Sequence, residues 1–154
     1  PRWHPTRGPT SWYSAGRVPK KWQTRLNSRK TQINIFEQAA VLLAIGTFAP
    51  LLRDKRVIFY IDSNAALGSI VKGHSKGQDI NCYAGTVWQL LARHRITAFF
   101  MRVPSKQNPA DDPSRGHFAQ LDADPGARWV APEWPQHAAG LVDVTGAKCD
   151  ISFG

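Results

Sequence analysis

Residues 31–49, TQINIFEQAAVLLAIGTFA, are apolar almost all round, with Ile33, Phe36, Ala40, Leu43 and Ala44 on one side and Ile35, Leu42 and Ile45 on another. Strong helix formers, a Thr31 or Asn34 cap and a stop at Pro50 predict a helix packed inside the fold rather than laid on its surface. Residues 56–61, RVIFYI, form a β-branched and aromatic run without alternation. Such a run predicts a strand covered on both faces. The stretch SNAALGSIVKG predicts a short helix broken by its glycines. Residues 80–94 predict a longer one, on which Tyr83, Val87, Leu90 and Leu91 recur at helical spacing, and TAFFMRV, ended by Pro104, predicts a second strand. Helix, strand, helix, strand implies an α/β layer structure in which a crossover helix joins neighbouring strands.

Outside this middle the periodicity fades. Residues 1–10, PRWHPTRGPT, read as irregular, residues 12–18 as a short edge strand before Pro19, and the chain after Gly116 as loop with one short strand around residues 140–144. The 154 residues therefore suit one domain: a basic arm over 1–30, a core over 31–116 and a loop-rich acidic tail over 117–154. No repeat is visible. No apolar run approaches the roughly 20 residues of a membrane span, and the start lacks the apolar stretch of a signal peptide. These features predict a soluble intracellular protein, cytoplasmic or nuclear, with no membrane partner. Cys82 and Cys149 lie far apart with no CxxC motif, which predicts two free thiols.

The formal charge of +9 is unevenly spread. Residues 1–30 hold eight Lys or Arg and no acid, residues 31–115 ten bases and six acids, and residues 116–154 two bases and five acids. A basic arm interleaved with Trp3, Trp12, Tyr13 and Trp22 has the make-up of a segment that neutralises phosphates and stacks on bases, and equally that of a solvated lead-in.

The few acids are more informative. Glu37 is the only charged residue between Lys30 and Arg53 and lies one turn from Ile33 and Val41. A carboxylate there either meets a cation or turns to the edge of the helix and reaches water. Asp62 directly follows the first strand, at the strand end where α/β sheets bind ligands, and it could alternatively cap the next helix. Asp111 and Asp112 sit in NPADDPSR; Pro113 suits a first helical turn, so Asp112 is expected to cap it and leave Asp111 free. A helix Glu, a strand-end Asp and a helix-start Asp have the layout of a hard-cation site for Mg²⁺ or Mn²⁺, and two such ions can cleave a phosphodiester.

The segments QINIFEQAAVLLAI, VIFYIDSNAALGSIVKGHSKGQDIN and RVPSKQNPADDPSRG resemble the ribonuclease H-like domain that follows the reverse transcriptase in retroelement polyproteins. The similarity is nearest the tyrosine-recombinase and related non-viral lineages and covers roughly residues 12–116. Val103, Pro104, Asn108, Ala110, Asp111, Ser114 and Arg115 fall at the offsets of its closing motif. The resemblance implies a ribonuclease H-like mixed sheet flanked by helices. It makes Glu37, Asp62 and Asp111 the catalytic carboxylates and ligands of two Mg²⁺ (or Mn²⁺) ions, and the RNA strand of an RNA–DNA hybrid the substrate. It also implies the reverse transcriptase domain of the same polyprotein as a partner. Asn64, Lys72, His74, Lys76, Arg102, Lys106 and Arg115 are the candidates for nucleic-acid contact.

One departure stands out. The family's first catalytic Asp lies in a DAS-like motif on a first strand, and here no acid precedes Glu37. The fold is thus expected to be N-terminally incomplete and the hydrolytic rate impaired, because positioning and charge stabilisation carry most of phosphoryl chemistry. The alternative is a catalytically inactive ribonuclease H-like module that binds nucleic acid or serves a structural role.

Overall fold

The computed structural model describes residues 11–23 and 33–135. Trp3, Thr31, Cys149 and the strand expected around residues 140–144 lie outside them. The elements in chain order are β1 (Ser11–Tyr13), α1 (Lys20–Gln23), α2 (Ile33–Leu52), β2 (Arg56–Ile61), α3 (Asn64–Lys72), α4 (Gln78–Arg93), β3 (Thr97–Arg102), α5 (Asp111–Ser114), α6 (Ala119–Ala123) and β4 (Ala127–Trp129), with one 3₁₀ turn at Ser105–Gln107. The architecture is mixed α/β. Among the described residues the strands form two two-stranded parallel sheets, β2 with β3 and β1 with β4.

Helix α2 is the central element. Ile35, Ala39, Leu42 and Ile45 are fully or almost fully buried, against Ile70 of α3, Tyr83, Val87 and Leu91 of α4, and Phe59 and Ile61 of β2. Because neighbours surround it, its apolar residues need not keep to one stripe, as its sequence implied. The expectation that no apolar run approaches spanning length is corrected: residues Asn34–Leu52 are long and apolar enough to cross a membrane by length and composition. In this fold 44% of that window is buried, packed against α3 and α4.

The helix also runs past its expected stop and carries Pro50 inside its last turns. Proline removes one amide donor, the one that would reach the carbonyl of Gly46, and the helix continues with the Arg53 amide bonding to Ala49 O at 3.0 Å. Gly46 has a further role, because a Cβ there would lie 2.4 Å from the Glu133 carbonyl oxygen. Only glycine lets the segment after β4 cross α2 so closely.

Helix α3 is not broken by its glycines. A Cβ on Gly68 would meet nothing within 4 Å, so that glycine costs some helix propensity and no packing. The helix ends at Gly73, whose φ of 69° is the left-handed C-terminal cap. At the start, Ser63 is the N-cap and its Oγ accepts from the Ala66 amide at 3.2 Å.

Strand β2 pairs in register with β3 from Arg56↔Thr97 to Ile61↔Arg102. Val57, Phe59 and Ile61 turn to the helices, with Phe59 stacked on Phe100 at 5.3 Å between ring centroids. The opposite side of both strands is exposed, so the expectation of a strand covered on both faces is corrected: the described helices supply one layer, and nothing described lies on the other side. The arm and the tail also meet. β1 forms at Ser11–Tyr13, earlier and shorter than the edge strand expected over residues 12–18, and pairs with β4. Tyr13 donates to Asp122 and packs edge-on to Trp129 at 5.4 Å, beside Phe118. That ring is committed to the fold, whereas Trp12 is exposed. Cys82 is buried and disulfide-bonded, which corrects the free thiol expected there.

Candidate functional site

Because β2 and β3 are parallel, both carboxyl ends open at one edge, and Asp62 is the first residue beyond β2. With Ser63 occupied as the α3 cap, the Asp62 carboxylate is not needed for capping. It is half-buried and lies in hydrogen-bonding contact with Glu37, brought there by the first turns of α2. Asn34, one turn before Glu37, accepts from Ser63 Oγ at 3.4 Å and ties α2 to the β2–α3 junction. Burial, then the charge of Asp62, then their hydrogen bond push the Glu37 carboxyl from 4.5 up to about 7. Neither carboxylate has an ion-pair partner among the described residues.

The loop after β3 closes the site. Asn108 donates from Nδ2 to Asp62 Oδ2 at 3.3 Å, and its carbonyl accepts from the Asp111 amide at 3.1 Å. Ala110, Pro113 and Ser114 share a cavity of about 360 Å³ with Ala40, Ala44 and Phe48 of α2, so Asp111 follows a segment packed one turn beyond Glu37. Its carboxylate, however, contacts Arg115 Nη2 at 3.3 Å. Among the described residues no three Asp, Glu, His or Cys side chains are gathered tightly enough to hold one ion. The structure thus brings Glu37 and Asp62 together and leaves Asp111 nearby on its own arginine. Asp112 does not cap α5 through its side chain, because the helix already includes it and Ala110 stands at the cap.

The donor set suits a hard divalent cation. Two adjoining carboxylates, one with its proton held to about pH 7 by burial and by the other's charge, gain from a cation that removes both the repulsion and the proton. Oxygen ligands of this kind match Mg²⁺ or Mn²⁺ better than softer metals.

The basic candidates divide into groups. Asn64, Lys72, His74 and Lys76 line one open cavity of about 450 Å³, beginning two residues after Asp62. Its far wall, the GHSKG loop, is pinned to α4: the Ser75 amide donates to Asn81 Oδ1, and Ser75 Oγ accepts from the Gly77 amide at 3.1 Å. Lys106 lines a different cavity with Asn108 and His117, Arg115 is held by Asp111, and Arg102 stands exposed at the end of β3. Sequence reasoning missed Asn108 as the group on Asp62 and Asn34 as the tie to Ser63. The signal for the first was its place in NPADD, three residues before Asp111. No family model, curated protein or solved structure matches this chain.

Proposed function

We propose that this chain is a ribonuclease H-type endonuclease domain of a retroelement polyprotein, acting beside the reverse transcriptase domain on the RNA strand of RNA–DNA hybrids. The observation that carries the reading is the meeting of Glu37 and Asp62 at the carboxyl ends of parallel strands, next to a cation-lined cavity. Glu37 and Asp62 would hold Mg²⁺ or Mn²⁺, which supplies charge neutralisation at the phosphate and a more acidic attacking water. Asn108 orients the Asp62 carboxylate through Nδ2. Lys72, His74 and Lys76 give the phosphate backbone a place at the far end of α3 from the carboxylates, with Asn64 at the near wall of the same cavity. Asp111 joins the site when its carboxylate leaves Arg115, freeing that guanidinium for a phosphate. The engagement of Asp111 by Arg115, away from Glu37 and Asp62, predicts a slow enzyme.

The test is cleavage of a labelled RNA–DNA hybrid by the 154-residue chain in Mg²⁺ and in Mn²⁺. Cleavage lost in Asp62→Asn supports the nuclease. Hybrid binding without cleavage in either metal overturns it in favour of the inactive nucleic-acid-binding module.

A further inference from the structure

The outer face of the β2–β3 sheet carries Arg56, Ile58 and Tyr60 on one strand and Thr97, Phe99 and Met101 on the other, in direct register. Tyr60 is 59% exposed, Phe99 53%, Ile58 50% and Met101 49%. Parallel sheets are ordinarily covered on both sides, and a contiguous apolar face left open marks a binding surface. Tyr60 and Phe99 are the two most exposed aromatic residues among the described ones. They stand on the diagonal, since Tyr60 pairs with Met101 and Phe99 with Ile58. Diagonal neighbours on adjacent strands lie about 7–8 Å apart. Two successive unstacked bases can span that separation, each on one ring.

The charges identify the occupant. No acid lies on this face. Arg56 begins it, exposed and without an acidic partner among the described residues. The one nearby acid, Asp54, is neutralised by Arg95, which donates to both its carboxylate oxygens. A second copy of a +9 chain would bring like charges together here, whereas a polyanion with aromatic bases satisfies rings and cations at once. We infer that the open face of β2 and β3 binds single-stranded nucleic acid, with bases stacked on Tyr60 and Phe99 and a phosphate at Arg56. The inference does not depend on hydrolysis by the carboxylates.

The experiment uses the full chain in EDTA with a fluorescein-labelled oligouridine or oligothymidine, titrated at several salt concentrations. Tyr60→Ala combined with Phe99→Ala weakens binding by about tenfold per ring without changing the salt slope, and Tyr60→Phe retains it. Arg56→Gln lowers the magnitude of the slope by about 0.7. An oligonucleotide carrying 5-iodouracil, irradiated with the unaltered chain, crosslinks to Tyr60 or Phe99, a readout that needs no variant to fold. Unchanged affinity in the folded double-alanine variant, or crosslinks confined to other residues, overturns the inference. So does a wild-type dimer that the double-alanine change dissociates, because the occupant is then a second copy.

Discussion

Replacing Glu37 by Gln keeps the shape of the side chain and removes its charge beside Asp62. Glu37 is an acid whose folded value lies above its ordinary one, so its contribution to stability is fully present below about pH 4.5 and is lost as pH rises through about 7. The displacement from 4.5 to about 7 corresponds to about 3 kcal/mol at 1.36 kcal/mol per pH unit. The carboxyl is only half-buried, and solvent screening reduces this to about 1–2 kcal/mol. Urea denaturation without divalent cation should therefore show E37Q matching the parent at pH 4 and exceeding it by about 1–2 kcal/mol at pH 8. Adding Mg²⁺ at pH 8 should stabilise the parent and not E37Q, since ligand binding raises stability in proportion to ln(1 + [L]/Kd). The ordering of the two proteins then narrows or inverts. Equal stability of E37Q and the parent at both pH values would refute the burial and the Asp62 repulsion that raise the Glu37 carboxyl. A Mg²⁺ effect of the same size in both proteins would refute Glu37 as a ligand.

Gly46→Ala places a methyl 2.4 Å from the Glu133 carbonyl and should destabilise the chain by about 1–3 kcal/mol in the same assay. Ser63→Ala removes the α3 cap and should cost about 1 kcal/mol, with a small loss of helical circular dichroism. Asn108→Ala loses the hydrogen bond to Asp62 and should cost about 1 kcal/mol. In hybrid cleavage it should reduce kcat more than Lys106→Ala, which should raise KM instead, as judged by steady-state kinetics with Mg²⁺.

The legible parts of the site were those governed by neighbours in sequence. Glu37 betrayed itself as a lone charge on an apolar helix and Asp62 as an acid at a strand end, and the two do meet. The engagement of Asp111 by Arg115 was not legible, because NPADDPSR states a spacing of four residues but not which way a carboxylate turns on a four-residue helix. The same limit applied to capping. Asp62, Ser63 and Asn64 are all competent caps by type, and only the backbone geometry at the β2–α3 junction selected Ser63.

By itself the sequence determined the order and kind of the core elements, since periodicity and turn residues act over a few positions: α2, β2, α4 and β3 lie close to where their patterns put them. It also determined the basic excess. Tertiary structure alone decided which surfaces are covered. The run RVIFYI is apolar on both sides and would suit a strand buried on both, yet a single helical layer leaves Ile58 and Tyr60 in water. The joining of arm to tail through β1 and β4, and the crossing of Gly46 by Glu133, likewise arise from contacts between residues far apart in sequence. Local preference carries no information about such partners, because burial depends on what packs across a face and not on the residues that form it.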